Sequence, residues 1–184
     1  MRSTTEALEL VSGLVAAPEE EKSRELILAL LEQTKTPFSR YQFNSGHITC
    51  TALVLHPDRT SVLLAYHHRH RRWLLPGGHV EDSDVTLGDT AAREAVEETE
   101  VRIMPESIAR FVGMDVHGIP ARKNKREPFH LHHDLIFAME AESDVLVTTE
   151  EAPEVAWCGF DEFEHYDVPA SIVRAARRAR GSAR

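Results

Sequence analysis

The stretch Pro76-Gly77-Gly78, followed fifteen residues later by Arg93-Glu94-Ala95-Val96-Glu97-Glu98-Thr99, decides how this chain is read. A glycine turn leads through an acid-rich loop into a predicted helix over 88–99. At about 100° per residue, Ala92, Ala95, Val96 and Thr99 form one small apolar face. Glu94, Glu97 and Glu98 fall in a wedge of about 100° on the opposite side, with Arg93 beside them. Like charges at i,i+3 and i,i+4 cost roughly 0.2–0.5 kcal/mol per pair. A divalent cation between them reverses that sign, and oxygen-only ligands suit magnesium or manganese better than zinc. A solvated acidic helix face is the alternative for these residues taken alone.

Working outward, residues 47–56 and 60–67 are rich in Val, Leu, Ile and Thr, and His56-Pro57-Asp58-Arg59 between them reads as a turn. Together they predict a hairpin. A further strand is expected over 71–75, stopping at Pro76. Later strands are expected near 107–117, 130–140 and 154–159, and a last helix from about Pro169. Two helices are expected in the first 40 residues, one opened by the capping-box spacing Ser3-Thr4-Thr5-Glu6, the other by Pro18 and the acids after it. Strands and helices mix without strict alternation, so helices packed on a mixed sheet are expected.

The whole composition is ordinary for a globular chain. It has 184 residues, 42% of them hydrophobic and 28% charged. The longest apolar run, Leu26 to Leu31, is far short of the ~20 residues that span a bilayer. The net charge of −9 argues against a duplex-DNA binder, and two cysteines are too few for a disulfide framework. With no signal-peptide pattern, a reducing, cytoplasmic compartment is expected, with no membrane partner.

The segment Gly78–Val101 resembles the Nudix box, the signature of Nudix hydrolases. Gly78, Asp84, Arg93-Glu94, Glu97-Glu98 and Val101 carry the resemblance, and Trp73 to Glu81 is similar to the family's usual entry. Three departures are visible. Asp84 stands where Glu is usual, the gap to Arg93 is one residue longer, and Glu100 replaces the Gly that normally follows the helix.

The resemblance implies a Nudix-type α/β/α sandwich, a mixed sheet between helices. Residues 43–184 would form that domain, with 1–42 as an N-terminal helical extension. It implies a pyrophosphohydrolase that cleaves a nucleoside diphosphate linked to another moiety, with magnesium or manganese. Glu94, Glu97 and Glu98 would hold metal, the Gly77 carbonyl would add a ligand, and Arg93 would orient the glutamates. An acid before the last strand often joins the site. Glu150, Glu151 and Glu154 are candidates, and Glu151 is favoured. The rival readings are a hydrolase of a non-nucleotide diphosphate and a catalytically silent nucleotide-binding module.

Outside the box, His130-Leu131-His132-His133-Asp134 alternates at strand period, so His130, His132 and Asp134 point one way. They could line the substrate cleft, form a structural polar face, or share a zinc, though spacing shows no third ligand. Two basic islands, 67–72 and 121–126, could meet an anionic substrate or be solvated surface, and Arg72 is carried as a substrate-side candidate. The expected partner is a small phosphorylated molecule. The apolar stripes of the N-terminal helices must be buried, and a homodimer is one way to do so.

Overall fold

The structure is a computed structural model that describes residues 3–68, 71–150 and 152–181, with the backbone alone at Lys125. Among the described residues, four α-helices surround a mixed seven-stranded sheet. In chain order the elements are α1 (Thr4–Gly13), α2 (Glu21–Gln33), β1 (His47–Leu55), β2 (Ser61–His67), β3 (Arg72–Leu74), β4 (Gly77–His79), α3 (Leu87–Thr99), β5 (Arg110–Ile119), β6 (His130–Glu140), β7 (Val155–Gly159) and α4 (Ala170–Gly181).

The main path of the sheet runs β3-β2-β1-β6-β5. β1 lies parallel to β6 over its whole length, from His47 opposite His132 to Leu55 opposite Glu140. Its other edge is shared. Thr49 to Thr51 pair with β4, whereas Leu55 pairs with β2. The hairpin read from sequence therefore exists, but its strands meet only at the turn. The glycines expected to end a strand form β4 instead, because their backbones lie flat on β1. A Cβ at Gly77 would come within 2.6 Å of the Thr51 hydroxyl and 2.8 Å of the Cys50 carbonyl.

Alternation along β1 and β6 sorts the core into two layers. Ile48, Cys50, Ala52, Leu135, Phe137 and Met139 pack with α1, α2 and α3. Leu53, Leu55, Ile136 and Ala138 pack with Ile172, Ala175, Ala176 and Ala179 of α4. The expected sandwich is present. Its second layer covers only part of its face. Beyond the α4 cluster the same strand positions become His47, Thr49 and Thr51 on β1, and His130, His132 and Asp134 on β6.

The N-terminal helices are part of this core. Ala7, Val11, Ile27, Leu30 and Leu31 are buried in the first layer. The Ser3 hydroxyl accepts from the Glu6 amide, as the capping spacing predicts. The Glu6 carboxylate, however, turns away and accepts from the Leu87 amide at 3.1 Å. The first turn of α3 is thus satisfied by α1 and by its own Thr86–Asp89 capping box. The turn before α2 is fixed by Glu20, whose buried carboxylate pairs with Arg178 of α4 at 2.7 Å.

Candidate functional site

Arg93 organises the first polar centre. Its Nε and Nη2 donate to the two oxygens of Asp84 at 2.9 and 3.1 Å. Nη2 also reaches the His79 carbonyl at 2.8 Å. Nη1 donates to Glu94 at 2.9 Å and to Glu97 at 3.0 Å. One guanidinium therefore ties the acid loop, β4 and two helix carboxylates together, a task suited to its planar fork of donors.

Asp84 is filled on its other sides by the Glu81 amide and the Thr90 hydroxyl, each at 2.8 Å. Burial works to raise its pKa, but the bonds from Arg93, Glu81 and Thr90 outweigh it and hold the carboxyl below its usual value. The shorter side chain at position 84 thus serves as a brace for Arg93.

Glu94 behaves differently. Burial pushes its carboxyl above the ordinary value, and the Arg93 bond only partly opposes this. The absence of a side chain at Gly78 makes room for it, since a Cβ there would lie 2.6 Å from the Glu94 carboxylate. Glu97 is exposed. Glu98 is 6% exposed, with one carboxylate oxygen 3.6 Å from Nε2 of His67 on β2. The helical wheel placed Glu98 opposite the buried side and Val96 on it. The reverse holds: Val96 is 45% exposed, while Ala91, Ala95, Glu98 and Thr99 are buried. The wheel located the carboxylates on one helix but could not see that β2 flanks one of them.

The helix ends at Glu100, whose backbone is left-handed at φ 52°. The chain makes the glycine conformation with a residue that has a Cβ. Just beyond, the Thr149 hydroxyl donates to the Glu98 carbonyl, which anchors the acid-bearing loop before β7 to the end of α3. Glu151 itself lies outside the described residues, as do Arg69 and His70 of the first basic island.

The second polar centre is imidazole. His47 and His130 stack with ring centroids 5.1 Å apart, and His132 lies 4.9 Å from His47. His79 of β4 packs on both His47 and His132, at 5.0 and 5.3 Å. His117 of β5 borders His132 at 5.7 Å. Beneath them, buried Asp134 accepts from the Thr49 and Thr51 hydroxyls at 2.9 and 2.8 Å. Burial lowers the pKa of His47 and His79 to about 4 and of His132 to about 2.

The alternation on β6 correctly grouped His130, His132 and Asp134. It missed His47, His79 and His117, because they arrive from three other strands and no sequence spacing links them. His133 points to the other side and bonds the Ser45 carbonyl at 2.9 Å. Arg72 does not join this face. It lies on β3 against Asp167, 3.6 Å from its carboxylate.

The two centres share β4. The Gly78 backbone faces Glu94, while the next residue, His79, turns its ring to His47 and His132. A groove of about 510 Å³ opens beside them, lined by His79, Glu81, Lys35, Arg40 and Tyr41 among others. The 35–41 segment was read only as the end of the helical extension, yet it brings two cations and an exposed tyrosine to the site. The larger hollow between α4 and residues 160–168 includes none of these groups.

A mixed sheet between helices, with a glycine-cradled carboxylate helix wired to one arginine, defines a class. The family's sequence profile, described as the NUDIX domain, matches residues 46–178. The chain belongs to the Nudix family, hydrolases acting on pyrophosphate bonds. Enzymes of this family generally use a divalent metal.

Among its relatives is a protein described as "Probable DHNTP pyrophosphohydrolase" from Lactococcus lactis subsp. cremoris. It is 30% identical over 154 residues, which cover 78% of this chain and 89% of the relative. Solved structures share the fold. A Nudix-family hydrolase from Clostridium perfringens superposes with a TM-score of 0.56 at 17% identity, covering 73% of this chain and 96% of its own. The Nudix domain of NrtR from Shewanella oneidensis, determined in complex with ADP-ribose, gives a TM-score of 0.55 at 18% identity, covering 78% and 92%. Among the described residues, no helix is long and apolar enough to cross a membrane.

Proposed function

We propose that this protein is a magnesium- or manganese-dependent pyrophosphohydrolase of a nucleotide or nucleotide derivative. The observation that carries the reading is the Arg93 centre, which holds Glu94 and Glu97 at one end of a glycine-lined recess. The donor set fits a hard divalent cation. Glu94, Glu97 and Glu98 offer oxygens only, and desolvation raises the half-buried Glu94 carboxyl in spite of Arg93, a cost that a bound cation would offset. These three glutamates, with the Gly77 carbonyl, would hold the ion. When bound, it neutralises the diphosphate and makes a water more acidic.

The chain's own residues do the positioning. Arg93 fixes the carboxylates and is itself fixed by Asp84, so the donors are preorganised. Lys35 and Arg40 on the groove wall suit the negative charge of a phosphate chain. Exposed Tyr41, together with Phe43 packed on His130 at 5.1 Å, suits a planar ring. His79 lines the groove and His132 packs on its ring at 5.3 Å, so the face bearing His130, His132 and Asp134 lies behind that wall as a polar flank to the substrate. Glu151 is the assigned acid outside the box. The catalytic unit is taken as 43–184, with 1–42 as an extension that supplies one wall of the groove. The pyrophosphohydrolase description of the Lactococcus lactis relative supports the reaction class.

The test is phosphate and nucleotide release from nucleoside triphosphates, dinucleoside polyphosphates, nucleotide sugars, ADP-ribose and isoprenoid diphosphates. Each is run with magnesium, manganese or chelator. Cleavage of a nucleotide that stops with chelator and in Glu97→Gln is expected. Cleavage only of isoprenoid diphosphates would replace the nucleotide reading, and tight binding without turnover would replace the enzyme with a binding module.

A further inference from the structure

We propose that His47, His130 and His132 form a second metal site, for a transition-metal ion of the zinc type, separate from the carboxylate centre. A ligand nitrogen from each of the three lies within 4.8 Å of the others. The Nε2 atoms of His130 and His132 are 3.3 Å apart. Zinc–nitrogen bonds of 2.0–2.1 Å in a tetrahedron place two ligand nitrogens about 3.3–3.4 Å apart. The pair already stands at that spacing.

The orientation of the other ring atoms agrees. A backbone carbonyl only accepts, so Nδ1 of His47 donates to the Gln42 carbonyl at 3.2 Å. Nδ1 of His130 likewise donates to the Pro128 carbonyl at 2.9 Å. In a neutral imidazole each bond leaves Nε2 as a bare lone pair, the arrangement that a carbonyl behind the ring imposes on metal-binding histidines. His47 is fully buried, and its Nε2 has no hydrogen-bond partner. A buried acceptor with no donor is costly, and a metal ion removes that cost. The scaffold is rigid as well. His47 sits directly opposite His132 in the β1–β6 ladder, and His130 is two residues along the same strand.

Three nitrogens leave one tetrahedral position open, as in catalytic rather than structural zinc sites. The ring of His79 packs on two of the ligands. The nitrogen set excludes magnesium as the preferred ion, whereas the carboxylate set favours it. The chain would then hold two chemically distinct ions on opposite faces of β4. The first centre does not depend on this assignment.

The test uses the full chain, stripped with chelator and kept in excess magnesium. Calorimetric titration with zinc and visible spectra with cobalt are then recorded. One zinc per chain is expected despite the magnesium, with a cobalt spectrum of four-coordinate type. His47→Gln and His132→Gln should each weaken zinc by more than the ~10–100-fold typical of an outer-shell change, with circular dichroism unchanged. Glu97→Gln should leave zinc affinity as it was. Zinc edge absorption on the unmodified protein should show three imidazole nitrogens, which keeps the test valid if a variant fails to fold. No zinc uptake, or uptake lost in Glu97→Gln but kept in the histidine variants, overturns the site. The histidines would then be a hydrogen-bonded stack that takes no metal.

Discussion

The carboxylate centre and the imidazole centre lie on the two sides of one three-residue strand, yet they are built in opposite ways. The first is local. Asp84, Arg93, Glu94 and Glu97 lie within fourteen residues, and one guanidinium contacts the other three. The second is assembled from four strands whose members span His47 to His132. The first gathers charge and balances it. The second gathers imidazole rings, and burial depresses the pKa of His47, His79 and His132. A local centre survives small shifts between strands, whereas a dispersed one depends on the register of the whole sheet.

The largest effect should come from Glu97→Gln. Turnover should drop by at least about 10²-fold, the scale of losing one preorganised electrostatic group. Glu97 is exposed, so the melting temperature should hardly move. Steady-state kinetics with a thermal melt checks both. Near-normal turnover would detach the local centre from the reaction.

Next is Arg93→Ala, which removes the hub and leaves Asp84 buried without its partner. Breaking a pair of this kind costs about 3 kcal/mol, measurable by urea denaturation. Asp84→Asn should reproduce a smaller part of that loss, because the Thr90 and Glu81 bonds to position 84 can partly persist. Equal stability of Arg93→Ala and the unmodified chain would show that the hub organises nothing.

The dispersed centre should reveal itself through pH. In metal-free protein His47, His79 and His132 have folded pKa values of about 4, 4 and 2, against 6.5 as the ordinary value. The unfolded chain therefore binds more protons below about pH 6.5. Stability is full above that pH and falls as pH drops toward 4. His117, drawn upward by Asp115 and Asp134 against its burial, acts in the opposite sense. The raised carboxyls of Glu94 and Asp134 do so too. Arg40 and His130 reinforce the depression of the other rings. His133 is lowered as well, and the four depressed imidazoles outweigh the three raised groups, so the denaturation midpoint should fall across this window. A flat profile in chelator would contradict neutral burial of the rings.

The smallest effect concerns the exit of α3. Glu100→Gly should stabilise by about 0.5–1 kcal/mol, since a left-handed residue with a Cβ is strained while glycine is not. A rise in melting temperature at unchanged activity is expected.

What sequence revealed follows the same division. The α3 carboxylates were legible because helical spacing and the glycine turn put their chemistry in one run. Their burial was not, because Glu98 is covered by β2, which the wheel does not contain. The pairing of β1 with β6 brings residues about 85 apart into contact, and alternation fixes faces without naming partners. His47 and His79 therefore joined the site only in three dimensions. In the sequence alone the β4 glycines suggest a turn that stops a strand, whereas their value is close backbone approach to β1. Glu6 was read as a local cap and proved to be a long-range one.

That contact between Glu6 and the Leu87 amide gives the molecule a built-in reporter. The Leu87 N–H can exchange with solvent only when α1 lifts from α3 or when α3 itself opens. Its hydrogen-exchange rate therefore times the undocking of the chain's first helix, while amides deeper in α3 time only the helix. A Glu6→Ala chain should expose Leu87 to rapid exchange and leave those deeper amides slow, separating the breathing of the amino terminus from that of the helix it caps.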